Sequence, residues 1–189
     1  RYDKITKYRR LKMSGGADEE KKRENWLLYL SETDRMTGIC NRGCGERKIS
    51  EMLNKHIGGL LCLIDCDKFK AINDTYGHEE GDWYLNHFVD IVQEQIRKKD
   101  LFARIGGDEF CIAIEECDKA YLRERMQMIQ EAFRTRVERP YLKDFSFGII
   151  DSFEFPVKAS VHELIQEADK RMYSQKEEHR RALELHNRA

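Results

Sequence analysis

At 189 residues the chain is long enough for one well-packed α/β domain and an appendage. Apolar residues make up 40% and charged residues 37%, and the net charge of -1 gives no general steering towards nucleic acid or an anionic membrane. The longest apolar run, residues 60–64, is far too short to span a bilayer, so any polyanionic ligand has to be held by a local site.

Up to Asn25 the chain is polar and basic, with SGGAD at 14–18 as a flexible break. A short helix is predicted next, carrying Trp26, Leu27 and Leu30 on one side. Two readings are open for it: a lead-in helix that docks on the domain, or a connector from an upstream regulatory module. Arg1 in place of an initiating methionine favours the connector, so residues 1–33 are expected to be a linker, 34–181 the main domain and 182–189 a tail. Ile49, Met52, Leu53 and Ile57 recur at helical spacing. The continuous apolar run LLCLI at 60–64 has the pattern of a strand buried on both faces. Leu85, Phe88, Val89, Val92 and Ile96 mark a second amphipathic helix. LFARI and FCIAI flank Gly106 and Gly107 and read as a β-hairpin. Leu122, Met126, Ile129 and Phe133 mark another helix, and FSFGII at 145–150 a further strand. Ser160 and Glu163 form a capping box before the helix of Val161, Leu164, Ile165, Ala168 and Met172. The order predicts an α/β sandwich of the α+β kind, a central mixed, mainly antiparallel sheet flanked by helices.

The six cysteines, Cys40, Cys44, Cys62, Cys66, Cys111 and Cys117, include no CxxC pair and no histidine at zinc-finger spacing. Several lie in apolar runs, as small core residues do, which suits a reducing, cytoplasmic compartment.

Two acidic stretches stand apart. Asp65 closes the buried strand, where ligand sites gather in open α/β sheets. Asp108 and Glu109 follow the glycine pair of the hairpin. Either stretch alone could be a solvated surface. If the strand lies beside the hairpin, Asp65 and Asp108 converge, and two such carboxylates near glycine backbone suit Mg²⁺ bound together with substrate phosphates.

The residues GGDEF at 106–110 resemble the signature of the GGDEF family, the diguanylate cyclases. DRMTGICNR at 34–42 is similar to that family's opening motif, DCDKFKAINDTYGHEEGD at 65–82 to its second, and EADKRMYSQK at 167–176 to its closing helix. The likeness covers residues 34–180 in order.

That resemblance implies a palm-like nucleotidyl cyclase fold that condenses two GTP into cyclic di-GMP and pyrophosphate across a homodimer. It assigns divalent metal, Mg²⁺ or Mn²⁺ and two ions per site, to Asp65, the backbone carbonyl of Cys66, Asp108 and Glu109. Asp108 is also implied as acceptor of the hydroxyl proton. Gly106 and Gly107 would let backbone approach the phosphates. Asn73 and Asp82 match positions that bind guanine; capping of the following helix is the other role open, for Asp82 above all, and the motif favours base recognition. Asp82 also argues against the relaxed base choice of related cyclases that make mixed dinucleotides. His78 matches a substrate contact or a structural hydrogen bond. Lys176 and Arg180 match phosphate-binding positions, but QKEEHRR at 175–181 departs from the family pattern, and a longer helix is expected where a closing strand is usual. Arg97 and Asp100 have the R-x-x-D form of an inhibitory product site. The alternative is a silent module that binds GTP or cyclic di-GMP without turnover. Neither nucleic acid nor membrane contact is expected.

Overall fold

A computed structural model describes residues 17–54, 59–156 and 159–186, with backbone alone for 17–19 and 178–186. Helix α1 (Ala17–Glu32) leads into α2 (Arg42–Asn54), and β1 (Gly59–Cys66) is followed by two helices in close succession, α3 (Phe69–Tyr76) and α4 (His78–Gln95). The hairpin of β2 (Leu101–Arg104) and β3 (Glu109–Glu115) comes next. After it run α5 (Lys119–Thr135), β4 (Phe145–Asp151), a 3-10 turn (Ser152–Glu154) and the long α6 (Val161–His186).

The strands form one sheet in the order β2-β3-β1-β4. All three ladders are antiparallel, and the parallel component is confined to an isolated bridge between Cys40 and Ala103. Alternation along the strands divides the core in two. Leu60, Cys62, Ile64, Phe110, Ile112, Phe145 and Phe147 point to α4 and α5, where Phe88 lies 4.9 Å from Phe110 and 5.1 Å from Phe145 between ring centroids. Leu61, Leu63, Cys111, Ala113 and Ile150 point to α2 and α6, against Ile49, Met52, Leu164, Ala168 and Met172. Burial on both faces is why 60–64 reads as an unbroken apolar run.

The capping box at the start of α6 forms as expected, Ser160 N–H donating to Glu163 at 2.8 Å and Glu163 N–H to Ser160 Oγ at 3.3 Å. The stretch 65–82 carries α3 in its middle, with Ile72 buried and Phe69 packed 5.9 Å from Tyr84 between ring centroids. The expected helix cap is corrected. Helix α4 begins at His78, so Asp82 lies inside its second turn and caps nothing; Gly77, at φ 88°, makes the break between the helices. Helix α1 does not lay its apolar side chains on the domain: Leu27, Leu28, Tyr29 and Leu30 are exposed. Its C-terminal end is tied down through Arg47–Glu32 at 2.5 Å, Asn41 to Ser31 O at 2.6 Å and a Thr33–Cys40 bridge. Ile57 lies outside the described residues, as do 1–16 and 187–189.

Candidate functional site

The register fixes who meets whom at the end of β1. Asp65 stands opposite Glu109 on one side and Ser146 on the other, and Cys66 N–H donates to Asp108 O at 3.1 Å. Alternation puts Asp65, Glu109 and Ser146 on the α6 face. From that helix the Lys176 ammonium reaches down to hydrogen-bond Asp65, and its Nζ is 4.0 Å from Asp67. Close packing sets this reach. Gly148 of β4 lies so near α6 that a Cβ there would stand 2.1 Å from Ala168 O and 2.5 Å from Met172 N. One turn further on, Gln175 accepts the Phe147 N–H at 2.6 Å, pairing an edge-strand donor and fixing the helix beside the site.

The turn at 105–108 is held from below. Arg104 donates to Gly107 O at 2.6 Å through one guanidinium nitrogen and 3.1 Å through Nε, and contacts Asp34 at 3.2 Å. Asp34 also accepts from the Thr37 amide at 2.8 Å and hydroxyl at 2.6 Å. The opening motif at 34–42 is thus a bracket for the acidic turn. A Cβ on Gly106 would meet Glu109 Oε2 at 2.3 Å, whereas one on Gly107 would meet nothing within 4 Å. Gly107 therefore presents bare backbone to open space.

Like charges crowd here. Burial and then the charge of Asp65 hold the Asp108 carboxyl above its usual range. Burial, Asp65, Asp108 and Asp169 do the same for Glu109. Asp67 is raised by burial although Ser146 Oγ donates to both its oxygens at 3.0 and 3.1 Å. Burial pulls Lys176 down, but its bond to Asp65 outweighs this and leaves it above the ordinary lysine value. Lys176 offsets part of this negative charge, and the acceptors of the cluster are all oxygen, the donor type that a hard divalent cation takes. Among the described residues no three acidic, histidine or cysteine side chains are gathered into a metal cage. Mg²⁺ needs none, since one or two carboxylates together with substrate phosphates hold it.

Other expected residues come from other elements. Asn73 on α3 packs on α4: a Cβ at Gly81 would fall 1.9 Å from Asn73 Oδ1, so a larger residue there would have to displace the Asn73 amide. His78 and Asp82 are exposed on the first two turns of α4. Arg97 and Asp100 precede β2 while the acidic turn follows it, a separation of roughly 13 Å along the strand. Asp100 is engaged locally, accepting the Arg97 N–H at 2.8 Å. Both border a surface hollow of about 610 Å³. The backbone of Arg180 continues α6, and its side chain lies outside the described residues. Asp67, Arg104, Ser146 and Gln175 were not singled out from sequence. Asp67 could have been, as the second acid of a DxD; the others depend on pairing between distant segments.

Residues 31–182 match the family model described as diguanylate cyclase, GGDEF domain. The chain is 33% identical over 161 residues to the uncharacterised protein YtrP of Bacillus subtilis (strain 168), covering 85% of this chain and 27% of that one. It is 30% identical over 149 residues to the probable diguanylate cyclase DgcJ of Escherichia coli (strain K12), covering 77% and 29%. The chain thus spans under a third of the length of these relatives. Its fold is similar to the coiled coil and GGDEF domain of DgcB from Caulobacter crescentus, solved with c-di-GMP, at TM-score 0.73 and 22% identity over 85% of this chain and 90% of that one. Among the described residues no helix is long and apolar enough to cross a membrane.

Proposed function

This chain belongs to the GGDEF family of diguanylate cyclase domains, and from that premise we propose that it condenses two GTP into cyclic di-GMP. The 3′-hydroxyl of each nucleotide attacks the α-phosphorus of the other. A phosphodiester bond forms, the bond to the bridging oxygen breaks, and pyrophosphate leaves. Each domain holds one GTP, so two copies face each other about a two-fold axis. The observation that carries this reading is the convergence of Asp65, Asp108, the glycine turn and the Lys176 ammonium at one sheet edge.

Asp65, the Cys66 carbonyl, Asp108 and Glu109 would hold Mg²⁺ or Mn²⁺, two ions per site, which neutralises phosphate charge and acidifies the attacking hydroxyl. Asp108 accepts the hydroxyl proton. Lys176 leaves Asp65 for the triphosphate, joined there by Arg180, while Gly106 and Gly107 let the backbone approach it. Asn73 and Asp82 take the guanine edge, where a carboxylate accepts from N1–H and N2–H₂, and His78 adds a contact from the start of α4. Arg97 and Asp100 bind the product away from the reacting atoms.

One observation favours a second reading, binding without turnover: Lys176 already occupies Asp65, a metal ligand in the first scheme. The deciding experiment incubates concentrated protein with GTP and Mg²⁺ and resolves the nucleotides by chromatography, with Asp108→Ala beside it. Cyclic di-GMP from wild type alone establishes the cyclase. Bound but unconverted GTP, even after the domains are forced to pair, establishes the silent module.

A further inference from the structure

Cys40 and Cys44 take no part in the chemistry above, yet they are placed as a reactive pair. Cys44, on the first turn of α2 and buried, directs its S–H at Cys40 Sγ, 2.7 Å away. Cys40 is half-exposed, and the Lys48 ammonium stands 3.6 Å from its sulfur. Cys40 and Lys48 also line the 610 Å³ surface hollow, together with Arg97 and Lys98, so a small solute reaches the sulfur from solvent past cationic groups. The remaining thiols differ. Cys62, Cys66 and Cys111 are fully buried, and Cys117 has no thiol hydrogen-bonded to it, its own donating to Asp118 O at 3.5 Å.

We propose that Cys40 and Cys44 are a modification site for hydroperoxides, with Cys40 the attacking and Cys44 the resolving sulfur of a reversible disulfide. The Cys40 thiolate attacks the terminal peroxide oxygen; an S–O bond forms, the O–O bond breaks, and the departing alkoxide takes a proton to leave as alcohol, or as water from hydrogen peroxide. Cys44 then attacks the sulfenic sulfur; an S–S bond forms, the S–O bond breaks, and hydroxide leaves as water with the proton that Cys44 gives up. Two thiols lose two electrons in all, and the hydroperoxide gains them. Burial and the neighbouring Cys40 push the Cys44 thiol up to about 12, in keeping with its role as second reactant.

The position gives the bond a structural consequence. Cys40 O accepts the Arg104 N–H at 2.8 Å, and the Arg104 side chain holds Gly107. Cys40 also bridges Thr33 at the end of α1. A disulfide here therefore lies at the joint between α1 and the acidic turn.

The test treats reduced wild-type protein with an equimolar amount of hydrogen peroxide, blocks free thiols by alkylation and analyses tryptic peptides by mass spectrometry. The expected product links MTGICNR to GCGER, cleaved apart at Arg42 and joined by the new bond. Cys40 should react at least tenfold faster than Cys117. In Cys44→Ala, Cys40 should be trapped as its sulfenic acid by dimedone, and in Cys40→Ser the Cys44 thiol should remain unmodified. Hydrogen exchange of the Arg104 amide should change on oxidation and return with a thiol reductant. Faster oxidation of Cys117, or a link from Cys40 to Cys111, overturns the proposal in wild type whatever the variants do.

Discussion

At the scale of single residues, the carboxylates of the acidic turn are held in a state that costs stability. Asp108 and Glu109 have raised pKa values in the fold, from burial and from Asp65. Between the ordinary carboxylate range and those raised values the folded protein binds more protons than the unfolded chain, so stability falls as pH rises through that window. Asp108→Asn should remove part of this slope. It should raise the melting temperature of the metal-free protein at neutral pH by roughly 1–3 °C while lowering cyclic di-GMP formation by at least about 100-fold. Thermal melts at pH 5 and 7, with chromatographic assays alongside, measure both. Lys176→Ala removes a cation proposed to bind phosphate. Loss of one charge-assisted hydrogen bond predicts a KM for GTP raised roughly 10- to 100-fold, read from initial rates.

At the scale of elements, the packing of α6 on β4 sets how far Lys176 reaches. Gly148→Ala drives a Cβ into backbone atoms of α6 rather than into a pliable side chain. Overpacking of this kind costs about 1–3 kcal/mol, so the melting temperature should fall by roughly 3–10 °C, and activity should fall with the displacement of Lys176. Gly107→Ala is the opposite case. Its Cβ meets nothing within 4 Å, so the melting temperature should stay within about 1–2 °C of wild type. If substrate phosphates approach that backbone, the KM for GTP should nonetheless rise. An unchanged KM with unchanged stability would remove Gly107 from the binding site.

At the scale of the whole molecule, one domain carries one set of these groups, and the proposed reaction needs two facing each other. Turnover per chain should therefore fall as the protein is diluted, and a rate per chain independent of concentration would count against pairing during catalysis. Helix α1, tied down at its C-terminal end and exposed along Leu27–Leu28–Tyr29–Leu30, is where an upstream module could bias that pairing. Dilution series with and without residues 17–32 separate its contribution from that of the domain.

The sequence by itself determined the family, the four strands and the helices marked by Ile49, Leu85, Leu122 and Leu164, and it pointed to acids at the strand ends, because these depend on local periodicity and on residues written side by side. Burial on both faces makes β1 an unbroken apolar run, and the capping box needs only Ser160 and Glu163. It did not reveal α3, whose eight residues bury little besides Ile72, nor the early start of α4 at a left-handed Gly77. Only the tertiary structure decided that Arg104 braces Gly107, that Ser146 and Lys176 reach Asp67 and Asp65, and that Cys44 points at Cys40. Most of these contacts join segments brought together by antiparallel pairing and helix docking. The cysteine pair, though close in sequence, depends on where Cys40 is pinned between Thr33 and Ala103. Register and packing distance, which no local pattern encodes, choose such partners.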